Sequence, residues 1–141
     1  MALRTASDCI FCRIVAGAIP CFKLYEDEAT LAFLDINPVH PGHSLVITRN
    51  HAPTLMESDD ADLARALPVA RRIAQAVASV VAPDGINLVQ ANGPGAAQSV
   101  PHFHIHVLPR HEGDEVKVNW GLKPGDMGEI AAMAEKLKAA L

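Results

Sequence analysis

SVPHFHIHVLPR, residues 99–110, places three of the chain's seven histidines, His102, His104 and His106, at alternate positions in an otherwise apolar run. At the histidine frequency of this 141-residue chain, an H-x-H-x-H would arise by chance with a probability of roughly 0.02. The pattern therefore asks for a cause. On a strand, side chains alternate faces, so Val100, His102, His104, His106 and Leu108 share one side and Phe103, Ile105 and Val107 the other. Neighbouring imidazoles then stand about 6.5–7 Å apart along the strand, close enough for one ligand to pass them all and far enough for each to have its own task. A merely solvated face would mix Lys, Glu and Thr instead of repeating one residue type. A histidine row can bind a metal, or a neutral imidazole can attack phosphorus and form a covalent intermediate. The preceding loop, NGPGAAQS, favours the second chemistry. It brings Gly93 and Gly95 for close backbone approach and Asn92, Gln98 and Ser99 as donors to the start of the histidine strand, although an ordinary hairpin turn would read the same way in isolation. The Walker spacing is absent.

Outward from this strand, CIFCRIVAG reads as a short helix stopped at Gly17, with Pro20 beyond it. KLYEDEATLAFLDINP reads as two short strands joined at Asp27 and Glu28. Asn37-Pro38 and Pro41-Gly42 then lead into a strand over 43–49. From Ser58 to Ala82 apolar residues (Leu63, Leu67, Ala70, Ile73, Ala74, Val77) recur at three- and four-residue intervals, with Asp59, Asp60 and Asp62 at the positive end of the dipole. Pro68 inside this run predicts a kink or break. Strands are predicted over 86–91 and 100–108. A last helix should follow Asp126, with Glu129 completing a capping box and Ile130, Met133, Ala134 and Leu137 as an apolar stripe. Five strands in hairpin connections, one long helix and short N- and C-terminal helices make an α+β domain with an antiparallel sheet, spanning 1–141 as a single unit.

Composition bounds the partners. Half of the residues are hydrophobic, 20% are charged and the net charge is -4, which argues against a broad electrostatic grip on nucleic acid or anionic lipid. No stretch reaches membrane-spanning length, and the N-terminus lacks the apolar core of a signal peptide, so a cytoplasmic protein is expected. Three cysteines, two of them as Cys9-x-x-Cys12, read as thiols, not as a disulfide framework.

HFHIHVL resembles the H-φ-H-φ-H-φ-φ signature of the histidine triad (HIT) family. CIFCRIVAGAIP, FLDINPVHPGHSLVI and Asn50-His51 resemble that family's N-terminal half in the same order, so the likeness runs nearly from the N-terminus to Gly113. The resemblance implies a HIT-like fold and a homodimer whose sheets join edge to edge. It implies a hydrolase or transferase acting at the α-phosphate of nucleoside phosphoramidates or dinucleoside polyphosphates, without a catalytic metal. His104 falls on the family's nucleophile and His106 on the histidine that donates to the phosphate and helps the leaving group depart. A His at 106 favours hydrolysis, since the uridylyltransferase-like branch carries Gln there. His43 matches the upstream histidine that assists the nucleophile, and Asp35 the acceptor of both ribose hydroxyls, a task suited to a carboxylate. Ile10, Phe11, Ile14, Phe33 and Ile36 would wall a purine pocket, some of them also serving as core, while Asn92, Gln98 and Ser99 would contact phosphate. Where members carry this CxxC, a structural zinc is completed by the histidines that fall here on His51 and His102. The set Cys9, Cys12, His51 and His102 would be closed and tetrahedral. Two small buried hydrophobes are the other reading of the cysteines, and packing is the reading of Cys21.

After Arg110 the family diverges. In relatives this part reaches toward the partner subunit's site, so Trp120 and Lys123 are candidates for leaving-group contact. Arg110 and His111 follow the strand and are candidates to face an anionic leaving group, with a solvated strand end as the default reading. Three functions stay open: a purine nucleoside phosphoramidate hydrolase, a dinucleoside polyphosphate hydrolase, and a nucleotide-binding or zinc-stabilised interaction protein with vestigial hydrolysis.

Overall fold

The computed structural model describes residues 2–118 and 120–141. Five antiparallel-paired strands form one sheet in the order β1-β2-β3-β5-β4: β1 (Lys23–Glu26), β2 (Thr30–Leu34), β3 (Ser44–Thr48), β4 (Gly85–Val89) and β5 (His104–Arg110). The helices are α1 (Ile10–Val15), α2 (Asp60–Val81) and α3 (Met127–Ala140). The α+β reading stands, with one change of topology. β5 inserts between β3 and β4, so β3 and β4 run parallel and α2 crosses between them, where hairpins throughout were expected. Pairing of β3 with β5, with the whole of α2 and β4 between Thr48 and His104, leaves no local trace.

The period-two alternation divides the sheet as the sequence predicts. Ala32, Val46, Phe103, Ile105 and Val107 point toward α2 and pack on Ala66, Val69, Ala70, Ile73 and Val77. Leu31, Phe33, Leu45 and Ile47 point the other way, onto Phe11, Cys9 and Cys12. His104 and His106 share this second face. Within α2 the buried stripe includes Ala66 and Val69, whereas Leu67, expected in the core, is 58% exposed.

Two boundaries differ from expectation. α2 runs unbroken for 22 residues through Pro68, because Ala66, Val69 and Ala70 on either side are packed on the sheet and Pro68 itself faces solvent. β5 begins at His104, not Val100. Pro101 has no N–H for a ladder, and the chain there turns in a bend closed by His102 N–H on the Val100 carbonyl (2.8 Å) while Phe103 N–H reaches the Ala52 carbonyl (2.8 Å). α3 forms with Asp126 accepting from Glu129 N–H at 2.9 Å. Its stripe Ile130, Met133 and Leu137 stays more than half exposed.

Candidate active site

The site is built where β5 faces away from α2. His104 is buried there, and its Nδ1 lies 2.7 Å from the His102 carbonyl. A carbonyl only accepts, so Nδ1 carries the proton and Nε2 keeps its lone pair. His43 precedes β3 at the end of the turn His40-Pro41-Gly42-His43, closed by His43 N–H on the His40 carbonyl (3.1 Å). Gly42 sits at φ +97°, and a Cβ there would lie 2.9 Å from Val81 Cγ2, so the third turn position needs glycine on both counts. The Val39 N–H donates to His43 Nδ1 at 3.1 Å. Neutral His43 therefore carries its proton on Nε2, 2.9 Å from His106 Nδ1 and 3.4 Å from Asp35 Oδ2. His106 accepts on Nδ1 and presents Nε2–H. Backbone groups thus assign all three tautomers: a nucleophilic Nε2 on His104 and a donor Nε2–H on its strand neighbour.

Burial holds His43 and His104 below the ordinary imidazole value and takes His106 down to about 4, with Asp35 pulling against burial in each case. The three rings are neutral at pH 7. One atom each of Asp35, His43 and His106 also fall within 4.8 Å of one another, as in a metal site. The tautomer argues against that use, since the Val39 bond to Nδ1 puts the proton on the very nitrogen that would have to ligate.

These groups line a cleft of about 480 Å³ walled by Ile10, Phe11, Ile14, Ile19, Pro20, Cys21 and Phe33, with Asp35, Ile36, Ser99, His43, His104 and His106 also on it. Every expected apolar wall residue lies on the cleft. Ile19, Pro20 and Cys21 were not foreseen as lining. The path of the chain after α1 brings them in, and the Gly17 stop at φ +78° was the one signal that the chain turns there. The proposed phosphate donors separate. Ser99 lines the cleft, but the side chains of Asn92 and Gln98 are consumed elsewhere. Asn92 Oδ1 accepts from Leu55 N–H (2.7 Å) and its amide pairs with Gln90. Gln98 accepts from Gly93 N–H (2.7 Å) and donates to the Pro53 and Val100 carbonyls. Both shape the loop instead of touching the cleft. Arg110 is likewise engaged, by Asp114, and Trp120 is 80% exposed.

Beside the cleft, Cys9, Cys12, His51 and His102 bring four ligand atoms within 4.8 Å of one another. His102 Nε2 donates to the Thr48 carbonyl (2.7 Å), so its Nδ1 lone pair points into the group, 3.3 Å from Cys9 Sγ, 3.6 Å from Cys12 Sγ and 3.2 Å from His51 Nδ1. Cys12 Sγ is 3.4 Å from His51 Nδ1. For metal–N near 2.1 Å and metal–S near 2.3 Å, a tetrahedron has N···N and N···S edges of about 3.4 and 3.6 Å. The four residues fit that shape, and the His102 Nε2–H bond to the Thr48 carbonyl holds the ring with Nδ1 turned toward them, as a ligating imidazole requires. Burial pushes the Cys12 thiol up, so a thiolate there needs a cation. Phe11 joins the two centres, its ring edge-on to His102 (5.8 Å) and to His104 (5.2 Å).

The HIT domain model matches residues 16–113. The adenosine 5'-monophosphoramidase hnt1 of Schizosaccharomyces pombe is 40% identical over 134 residues, covering 94% of this chain and 98% of its own. Among solved structures, a HIT family protein from Bacillus anthracis superposes with a TM-score of 0.90 at 37% identity, over 97% of this chain and 99% of that one. A Zn-bound histidine triad family protein from Mycobacterium smegmatis gives a TM-score of 0.73 at 35% identity, over 95% and 98%.

Proposed function

The chain belongs to the histidine triad (HIT) family, and from that membership and the tautomers of its site we propose that it hydrolyses purine nucleoside phosphoramidates at the α-phosphorus. The observation that carries the reading is the His104 ring on the apolar cleft, whose Nδ1–H donates to the His102 carbonyl and so leaves Nε2 with a free lone pair. In this reading the base lies among Ile10, Phe11, Ile14 and Phe33, and Asp35 accepts the ribose hydroxyls. Ser99 and the His106 Nε2–H donate to the phosphate. His104 Nε2 forms the bond to phosphorus as the P–N bond breaks, and the leaving amine takes the proton of His106 Nε2–H, which the attacking water later returns to His106. Water then cleaves the nucleotidyl-histidine, releasing the nucleoside monophosphate and restoring the ring.

Cys9, Cys12, His51 and His102 would hold a structural zinc, whose four protein ligands leave no open position for chemistry. Its work would be to pin α1 to the bend before β5. A homodimer accords with the exposed apolar side chains Leu67, Val80 and Leu88 on α2 and edge strand β4, and sedimentation would test it. No described helix is long and apolar enough to cross a membrane.

The test is AMP release from adenosine 5'-phosphoramidate, with chelator present, by the wild type beside His104→Ala. Turnover that falls by several orders of magnitude in the variant supports the reading. Binding of AMP by both, with no turnover by either, would replace it with a binding protein whose hydrolysis is vestigial.

A further inference from the structure

The chain beyond the triad folds back on itself at Asp114. This carboxylate, only 5% exposed, accepts five hydrogen bonds: Arg110 Nε and Nη2 (2.8 Å each), the His111 and Val116 N–H groups (3.0 and 3.2 Å), and His40 Nε2 (3.1 Å). Arg110 ties the hub to the sheet through Asn87 Oδ1 in β4 (2.8 Å) and closes the loop through the Val116 carbonyl (2.8 Å). Four of the five donors come from residues 110–116. The fifth, His40, is 74 residues away in sequence and begins the turn that delivers His43. Its ring also stands edge-on to His111 at 5.0 Å.

Three backbone bonds seat His43, and two of them come from the gripped segment: the His40 carbonyl accepts the His43 N–H, and the Val39 N–H, one residue earlier, sets the His43 tautomer, while the His43 carbonyl accepts from Asp35 N–H (3.0 Å) just past the end of β2. Bidentate, nearly buried pairs such as Arg110–Asp114 hold geometry in a way exposed ion pairs do not. We propose that Asp114 is a positioning residue for the reaction, holding His43 in register with His106 by gripping His40 from the end of the triad strand. This assignment rests on the proposed hydrolysis and on the His43 Nε2–H that donates to His106 Nδ1. It is specific to the side chains that this chain carries at 40 and 114.

The experiment compares wild type, His40→Ala, His40→Gln and Asp114→Asn, reading kcat and KM for adenosine 5'-phosphoramidate and the imidazole ¹⁵N signals of His43 in the free protein. The alanine variant leaves the Arg110–Asp114 pair intact, so it folds even if Asp114→Asn does not. Misplacing a reacting group by a fraction of an ångström costs about tenfold or more in rate. His40→Ala is therefore expected to lower kcat about tenfold with KM within about threefold, and to move His43 Nδ1 away from its accepting signature. Glutamine, whose amide can donate to Asp114, recovers most of both. Unchanged kcat together with unchanged His43 signals overturns the proposal. So does a loss that tracks melting temperature and is not rescued by glutamine. If the wild type turns over nothing, the enzymatic reading falls while the His43 signals still decide whether Asp114 positions that ring.

Discussion

Nε2 of His43 stands 2.9 Å from Nδ1 of His106, and the direction of that hydrogen bond is dictated by a third group, the Val39 N–H on the far side of the His43 ring. The proton between His43 and His106 is thus placed by backbone geometry. Protonating any ring of the set inverts a donor–acceptor relation or removes the nucleophile.

A pH dependence follows. Burial lowers His43 and His104 and takes His106 to about 4, each against an ordinary value of 6.5. The free enzyme's kcat/KM should climb from acid pH and reach its plateau below pH 6.5. Because Asp35 raises all three, Asp35→Asn should move the acid limb further down as well as raise KM. The same shifts bear on stability. The folded state resists protons that the unfolded chain accepts, so stability is fully present above pH 6.5 and is lost as pH falls toward 4. Urea midpoints across pH 4–7.5 measure this directly, and a flat profile would contradict the buried neutral assignment.

Pro68 supplies a second test. A proline in a helix interior removes one hydrogen bond and crowds the carbonyl four residues back, here that of Ala64. α2 stays continuous because the packing of its inner face outweighs that local cost. Proline in a helix interior costs about 3 kcal/mol relative to alanine, partly offset by the stiffer unfolded chain. Pro68→Ala should therefore stabilise the protein by about 1–2 kcal/mol in urea denaturation. A neutral or destabilising result would show that the ring packs in a way its exposure does not suggest.

That same proline marks what a sequence can and cannot announce. The face on which His104 and His106 lie was legible because a strand has period two and the intervening Phe103, Ile105 and Val107 are apolar. The paired chemistry of Cys9, Cys12, His51 and His102 was legible only through resemblance, since the four converge from three separate segments. The continuity of α2, the insertion of β5 between β3 and β4, and the diversion of Asn92 and Gln98 to loop construction depend on partners 37 to 63 residues away or on packing. No local pattern encodes these. Asp114 is the sharpest case: within its own segment it looks like a surface turn residue, and only His40 reveals its reach.

The cleft wall separates binding from folding within two adjacent residues. Phe11 is 6% exposed, belongs to the core and packs edge-on to Phe33 at 5.7 Å, while Ile10 lines the same cleft but is 45% exposed. Phe11→Ala should cost about 3–5 kcal/mol of stability. Ile10→Ala should stay within about 1 kcal/mol yet weaken AMP several-fold, read by titration calorimetry beside thermal melts. An AMP affinity indifferent to Ile10→Ala would move the base elsewhere.

Metal bound by Cys9, Cys12, His51 and His102 should be felt in the same cleft. Cys9 and Cys12 flank Ile10 and Phe11 on a single short helix, so whatever fixes the two sulfurs fixes the wall between them. Purified protein should carry one zinc per chain, and Cys9→Ser should lose it. Structural zinc binding is folding free energy, so the variant's melting temperature should fall and, because α1 is freed, AMP should bind more weakly. His104→Ala, which leaves all four ligands in place, should keep its zinc. If Cys9→Ser loses the metal while AMP affinity holds, α1 is anchored by its packing on Leu31, Phe33 and Leu45 alone, and the metal serves stability without serving the site.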